Sequence, residues 1–271
     1  MTQQLLASAG EVPPAEQVVL YGDFNCPWSL LASRRAELLA EDGLDVDFRA
    51  TEHEPWRPRR FSDSSVRFEC LREEMEKVLA LLLPGEELPY SLAGFLPWTR
   101  AAVSGYAEAY AAGVPSRARQ VLFEAFWLHG LDLGDARLVR TLLEDVTRSS
   151  ASPSEPVREW GYAVDVTGGP VSSTAWRLVR RWAGEWQATG KAIVPVLVVD
   201  GAAPLFGVDA VEWLGTELVR RHLAVGPPSA PPTRPVRRGE LASLSWVSQH
   251  GNRWARDYQR MHAQPLVPRS G

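Results

Sequence analysis

The distribution of apolar and polar residues divides the chain into three segments with different periodicities. Residues 17–61 combine strand-like and helix-like patterns, residues 62–188 show only helical periods, and residues 189–224 return to strands followed by one helix. Short apolar runs are typical of buried strands, and apolar residues that recur every three or four positions are typical of amphipathic helices. This order predicts an α/β fold that is interrupted by an all-helical insertion.

The first segment has the pattern of a βαβ unit. Its predicted elements are a strand, a helix and a second strand, over residues 18–24, 27–41 and 44–52. Pro27 suits the first turn of the helix, and Gly43 is typical of the position just past a helix end. The crossover makes the two strands parallel, so both strands end at the same edge of the sheet. We therefore expect residues 24–29 and 52–56 to be neighbours.

The middle segment is read as a set of helices separated by proline and glycine breaks. The predicted helices cover residues 63–83, 99–112, 116–129, 135–148, 155–164 and 172–188. An amphipathic helix must bury its apolar stripe against a partner, so we expect these helices to pack together over the sheet. Trp182 and Trp186 lie four positions apart on one face, a pattern that is more typical of core than of a binding site.

The third segment predicts two strands and a helix, over residues 193–199, 204–206 and 209–223. Asp200 and Gly201 between the two strands form a hairpin signal. Residues 225–265 read as a proline-rich linker and a terminal helix. Residues 266–271 resemble a protease-site remnant added for expression, and they are left out of the fold. The folded chain is thus predicted as βαβ, helical insertion, ββα.

The amino-acid composition limits the kinds of molecule that the protein is expected to bind. The chain has 271 residues, 45% apolar content and a formal net charge of −4, which favours neither a nucleic-acid surface nor an anionic membrane. We find no apolar run long enough to span a bilayer and no basic secretion signal at the N-terminus, so we expect a cytoplasmic protein. The five histidines and two cysteines lack metal-ligand spacing, and no metal site is expected. Small molecules, small thiols or peptides are the expected partners.

Cys26 is the residue whose position suggests chemistry. It follows the first predicted strand and directly precedes the helix that begins at Pro27. Unpaired N–H groups and the positive end of the helix dipole stabilise an anion, which predicts a thiol pKa below the ordinary value and a reactive thiolate. A buried, inert cysteine in a strand-to-helix turn is the alternative.

The stretch from Asp23 to Ser29, D-F-N-C-P-W-S, resembles the D-F-x-C-P-W-C signature of the DsbA-like branch of the thioredoxin superfamily, FrnE-type proteins in particular. Residues 122–143, 193–201 and 205–209 resemble further motifs of that branch, so the likeness extends over residues 17–223. It implies a thioredoxin fold with a helical insertion. It also implies a cis peptide at Pro195 beside the cysteine, with the Val194 backbone holding the substrate.

Ser29 replaces the second cysteine of the signature. A C-x-x-S site cannot close an intramolecular disulfide, which disfavours dithiol oxidase activity. The expected activity is that of a monothiol oxidoreductase, in which Cys26 forms a mixed disulfide with glutathione or mycothiol and Ser29 donates a hydrogen bond to the sulfur. The related 2-hydroxychromene-2-carboxylate isomerases and kappa-class glutathione transferases keep a thiol-cofactor-dependent isomerase or transferase open. A non-catalytic binding protein is the third alternative.

Other residues complete the candidate site. We expect Pro27, Trp28, Val194, Pro195 and His53 to contact the thiol or substrate. His53 follows the second strand on the active edge and is a candidate for substrate contact or proton transfer, with a solvated loop histidine as the alternative. Cys70 lies on a predicted helix of the insertion. We expect it to pack in the core, and a resolving role is the alternative.

Overall fold

The computed structural model describes residues 17–54, 66–148, 163–200 and 202–224. Within them, four strands and seven helices follow in the order β1 (Val18–Gly22), α1 (Pro27–Glu41), β2 (Val46–Ala50), α2 (Val66–Leu79), α3 (Arg100–Ala111), α4 (Pro115–Trp127), α5 (Ala136–Arg148), α6 (Ser173–Ala188), β3 (Val196–Val199), β4 (Leu205–Phe206) and α7 (Val208–Ala224). This order, βαβ, helices, ββα, confirms the predicted α/β fold with a helical insertion.

The four strands form one mixed sheet with the order β2-β1-β3-β4. β1 pairs with β2 in parallel, as the βαβ unit predicted, and pairs with β3 in antiparallel orientation. β3 in turn pairs with β4 in antiparallel orientation, as the hairpin signal predicted. Every residue of the central strand β1 is buried, because it has a neighbouring strand on each side and helices packed over the sheet.

Helix packing joins the insertion to the sheet. α1 packs against α2 and α7, whereas α3 packs against α4, α5 and α6. An aromatic cluster connects the two groups: the ring of Phe24 lies with its centroid 5.0 Å from that of Phe123 and 5.8 Å from that of Tyr106. Phe48 of β2 contacts the same two rings, at centroid distances of 5.9 and 5.5 Å. Trp182 and Trp186 are buried, as predicted for a core stripe.

A buried ion pair between Arg35 and Glu86 connects α1 to neighbouring segments. The guanidinium of Arg35 on α1 donates to both carboxylate oxygens of Glu86, at 3.0 and 2.8 Å. It also donates to the carbonyl oxygens of Leu81 and Val211, at 2.6 and 2.8 Å. Both charged side chains are almost fully buried. A buried charge left without its partner is costly, so the four bonds fix the position of α1 against α7 and against the segment that follows α2.

The structure also corrects details of the sequence-based prediction. Cys70 is exposed on α2, so the expected packing role is wrong: the residue lies on the polar side of its helix. β3 begins at Val196, after the proline, so residues 193–195 precede the strand instead of opening it. Residues 163–164 are not helical. The rest of the helix predicted over 155–164, the linker and helix of 225–265, and residues 266–271 lie outside the described residues.

Candidate active site

Cys26 occupies the residue that caps the N-terminus of α1. Its backbone is extended, with φ −96° and ψ 124°, and its side chain makes no capping bond to the helix amides. The Cys26 amide donates to the carbonyl oxygen of Asp23 at 3.2 Å, and the Leu30 amide donates to the Cys26 carbonyl oxygen at 3.0 Å. Pro27 follows at the first helical position, where a missing N–H leaves no partner unsatisfied. The turn therefore holds the sulfur at the helix entrance.

The sulfur of Cys26 faces the loop that precedes β3. Its Sγ atom donates toward the carbonyl oxygen of Val194 at 3.5 Å. The Val194–Pro195 peptide bond is cis, and the Pro195 carbonyl oxygen accepts a hydrogen bond from the Gly207 amide at 2.8 Å. Tyr21 and Trp186 belong to the apolar cluster that surrounds the sulfur. Cys26 and the segment at Pro195 are therefore neighbours, although many positions separate them in the sequence.

Burial decides the protonation state of the thiol. Only 6% of Cys26 is exposed, and this burial raises the pKa of the thiol to about 12. Hydrogen bonds from the side chain and amide of Ser29 lower the pKa but do not offset the loss of hydration, and the carboxylates of Glu74 and Asp23 raise the pKa further. The prediction of a lowered pKa is wrong, because packing against apolar residues outweighs the helix terminus.

Ser29 is fully buried on the first turn of α1. Its hydroxyl accepts a hydrogen bond from the Asp23 amide at 3.3 Å, and its interaction with the Cys26 thiol lowers the pKa of that thiol. The role of Ser29 as a hydrogen-bond donor to a reacting sulfur stays a prediction.

Asp23 and His53 form a second polar pair at the same sheet edge. Asp23 is fully buried, and its Oδ2 atom accepts a hydrogen bond from the His53 amide at 3.0 Å. The same oxygen lies 2.7 Å from the Nδ1 atom of the His53 ring. The Nε2 atom lies on the other side of the ring, 3.6 Å from Oε2 of Glu54. The predicted proximity of the two strand ends is confirmed for residues 52–54, and residues 55–56 lie outside the described residues.

A cavity of about 690 Å³ opens between these loops and the insertion. Five of the predicted site residues line it: Cys26, Pro27, Trp28, His53 and Val194. Ser29 and Pro195 are not among the residues that line it. The insertion contributes one face of α2, through Leu71, Glu74 and Lys77. The volume lies within the range of small-molecule sites, roughly 300 to 1,000 Å³.

Two long-range hydrogen bonds tie the loop before α1 to the insertion. The indole Nε1 of Trp127 donates to the Phe24 carbonyl oxygen at 2.9 Å, and the side-chain amide of Asn25 donates to the Pro97 carbonyl oxygen at 3.0 Å. Both bonds are buried. The insertion therefore sets the position of the loop that carries the sulfur.

Comparison by sequence finds no match: neither a family model nor a curated protein resembles the chain. Comparison by structure finds a probable DsbA oxidoreductase from Streptomyces coelicolor, 19% identical with a TM-score of 0.50, over 82% of this chain and 97% of that chain. It also finds a 2-hydroxychromene-2-carboxylate isomerase, 20% identical with a TM-score of 0.52, over 78% of this chain and 99% of that chain. The chain has a DsbA-like thioredoxin fold. At these identities, the likeness concerns the fold alone.

Two polar residues of the site in this DsbA-like fold, Asp23 and Asn25, were not predicted from the sequence as site residues. Both belong to the turn between β1 and α1, and the rule that places strand ends at one edge applies to Asp23 as much as to His53. Asp23 Oδ1 and Asn25 Oδ1 are buried and have no hydrogen-bond partner within the described residues. Buried acceptors of this kind are uncommon and are enriched at sites under functional constraint.

Among the described residues, there is no group of three or more side chains that could together bind a metal ion. In the same residues, no helix combines the length and apolar character that crossing a membrane requires.

Proposed function

We propose that the protein is a thiol-dependent oxidoreductase in which Cys26 forms a mixed disulfide with a small thiol compound such as glutathione or mycothiol. The observation that carries the proposal is the position of the sulfur. Cys26 Sγ lies at the start of α1, 3.5 Å from the Val194 carbonyl oxygen, and Cys26 lines a cavity of about 690 Å³. A cavity of this size has room for a thiol compound beside the sulfur.

The exchange uses one protein sulfur. When a disulfide RSSR enters the cavity, Sγ of Cys26 bonds to one sulfur, the S–S bond breaks, and the departing sulfur takes the electron pair and the proton that Cys26 loses. A second small thiol then attacks the mixed disulfide, releases the new disulfide and restores the Cys26 thiol. Because residue 29 is serine, no second protein sulfur on this turn competes with the small thiol.

The proposed contacts divide between the two sides of the sulfur. Pro27 and Trp28 line the cavity from α1, and Val194 lines it from the loop before β3. The Val194 carbonyl oxygen already accepts from the thiol, so an incoming ligand with an N–H group can pair with the same acceptor. Lys77 on α2 offers a cation to a carboxylate of the thiol compound. A cytoplasmic location, where small thiols are kept reduced, suits this cycle.

The raised pKa of Cys26 favours a second candidate function. A thiol with a pKa of about 12 is neutral near pH 7 and acts as a hydrogen-bond donor. In that case Cys26 and Ser29 position the sulfur of a bound thiol cofactor, and the protein is an isomerase or transferase. The similarity of fold to a 2-hydroxychromene-2-carboxylate isomerase agrees with this candidate. A binding protein without turnover is the third.

The test uses a Cys70→Ser parent, because Cys70 is exposed and would react on its own. The parent and the Cys26→Ser, Cys70→Ser double variant are incubated with glutathione disulfide or with mycothiol disulfide, and the intact masses are measured. We expect one added thiol on the parent, none on the double variant, and removal of the adduct by excess reduced thiol. Saturable binding of the reduced thiol without an adduct supports the isomerase or transferase instead. Absence of both supports the binding protein.

A further inference from the structure

We propose that His53 is the proton-transfer residue of this site and that Asp23 is its positioning residue. The inference rests on the proposed thiol exchange. It concerns how the Cys26 proton leaves, which the exchange itself does not specify.

The geometry defines the orientation of the imidazole ring. Asp23 Oδ2 holds the His53 amide at 3.0 Å and lies 2.7 Å from Nδ1. A carboxylate offers only acceptors, so Nδ1 carries the proton in this bond, and the other ring nitrogen, Nε2, is the one available to exchange a proton. The backbone bond fixes the position of the residue, and the side-chain bond fixes the ring. A solvated loop histidine would have neither restraint.

The ring and the thiol share a cavity. His53 and Cys26 both line the space of about 690 Å³ between the sheet edge and α2, and most of the His53 side chain is buried. A general base acts either by direct hydrogen bonding or through one water molecule, and the cavity has room for such a water. The two residues therefore face one space, and the proposed transfer of the Sγ proton to Nε2 takes place within it.

The state of the thiol explains why a base is required. Burial raises the pKa of Cys26 to about 12, so very little thiolate is present near pH 7. In the proposed step, Nε2 of neutral His53 accepts the Sγ proton as Sγ bonds to the incoming sulfur. The imidazolium formed is stabilised by the Asp23 carboxylate, and it returns the proton to the departing sulfur. The products are the mixed disulfide and one free small thiol, and His53 ends as it began.

Stability alone does not account for the buried carboxylate. Asp23 has no exposed surface, and its Oδ1 atom has no hydrogen-bond partner within the described residues. A buried polar atom without a hydrogen-bond partner lowers the stability of the folded protein. A carboxylate at this position is explained by the charge that it presents to the His53 ring.

Among the described residues, carboxylates and a cation surround His53. Those near the ring are Asp23 from the turn after β1, Glu52 and Glu54 from its own segment, and Glu74 and Lys77 from α2 across the cavity. The pH profile of the reaction reports the combined effect of these charges.

The experiment measures the rate of mixed-disulfide formation with glutathione disulfide between pH 6 and pH 10, in the Cys70→Ser parent. His53→Gln is compared with His129→Gln, a control at a half-buried histidine that does not line the cavity. We expect His53→Gln to be about 100-fold slower near pH 7, within the range of general-base catalysis. Its rate should rise about tenfold per pH unit and approach the parent rate at high pH, where hydroxide supplies the base. His129→Gln should match the parent.

Two further variants separate chemistry from structure. His53→Ala should regain rate when free imidazole is added, a response that loss of fold does not produce. Asp23→Asn should retain the fold by circular dichroism and lose rate near pH 7 but not at pH 10. If His53→Gln keeps the parent rate and pH profile, the inference is overturned and the proposed oxidoreductase stands. If the parent forms no mixed disulfide at any pH, both are overturned.

Discussion

The thiol of Cys26 and the carbonyl oxygen of Val194 lie 3.5 Å apart, and this contact joins the entrance of α1 to the loop before β3. The sulfur is therefore held between a helix terminus and a backbone acceptor. Its small exposed surface faces the cavity that α2 closes from the other side. The contact holds the sulfur in place, whereas burial favours its protonated form, and the predictions that follow separate these two effects.

The first prediction concerns the ionisation of the thiol. Because burial raises the pKa of Cys26 to about 12, the thiolate absorbance near 240 nm should be negligible at pH 9 and should grow only at higher pH. The measurement is the difference in absorbance between the Cys70→Ser parent and the Cys26→Ser, Cys70→Ser double variant, which removes the contribution of tyrosine. A midpoint near the ordinary thiol value of about 8.5 would contradict the buried position of the sulfur.

The same shift predicts how stability changes with pH. The folded protein holds the Cys26 proton at pH values where the unfolded chain has lost it, so this contribution to the free energy of unfolding is complete below about pH 8.5. It declines as the pH rises toward the folded-state pKa of about 12. Relative to Cys26→Ser, the parent should lose up to about 1.4 kcal/mol per pH unit above pH 9. Urea unfolding of both proteins from pH 7 to pH 10.5 measures the difference, and parallel curves would be incompatible with it.

The third prediction concerns a second cysteine on the first turn of α1. Ser29 is buried on the first turn of α1, and the interaction of its hydroxyl with the Cys26 thiol lowers the pKa of that thiol. Ser29→Cys should therefore form a 26–29 disulfide under oxidation, detected as the loss of two hydrogen atoms from the intact mass. Ser33→Cys, one turn further along α1, is the matched control and should form no such bond. If the thiols at positions 26 and 29 both stay free under oxidation, the two side chains do not face each other.

Much of the fold was predictable because each element has its own pattern. The helix from Pro27 to Glu41 begins at a proline and ends before Gly43, and the structure gives the same bounds. Parallel pairing of β1 and β2 followed from the crossover. The position of Cys70 was not predictable, since periodicity does not fix which side of an isolated helix is covered. Residues 193–195 read as strand because they are apolar, whereas the structure begins β3 after Pro195.

The location of the candidate site was predictable from the sequence, but the pKa of its thiol was not. The rule of common strand ends placed His53 beside the turn of Cys26, and the structure adds the buried Asp23 as its partner. The pKa of Cys26 could not be predicted, because it depends on residues such as Trp186 and Val194 that are distant in sequence. Local position indicates a helix terminus. Only the packed structure shows how much hydration the sulfur loses.

The last prediction tests the buried ion pair of Arg35. A Cβ atom on Gly215 of α7 would lie 2.6 Å from Nη1 of Arg35, which is held by Glu86 and two carbonyl oxygens. Gly215→Ala should therefore destabilise the protein by about 1 to 3 kcal/mol, despite the better helix propensity of alanine. Gly184→Ala in α6 is the control, since its Cβ atom meets no other atom within 4 Å. It should stabilise by up to about 1 kcal/mol.

Thermal and urea unfolding of the two alanine variants measure the difference. Equal effects at the two positions would mean that Arg35 moves freely, and the described hydrogen bonds would then contribute little to the position of α1.

The pairing of β1 has a consequence for the order in which the protein is assembled. Val18 opposes Val46 in one neighbouring strand but Val199 in the other, so the central strand lacks one partner until nearly all of the described chain has left the ribosome. Contacts that span such distances form late and favour slow folding. The Val194 carbonyl oxygen is synthesised directly before β3. We therefore expect the Cys26 thiol to be more accessible to oxidants during synthesis than in the folded protein.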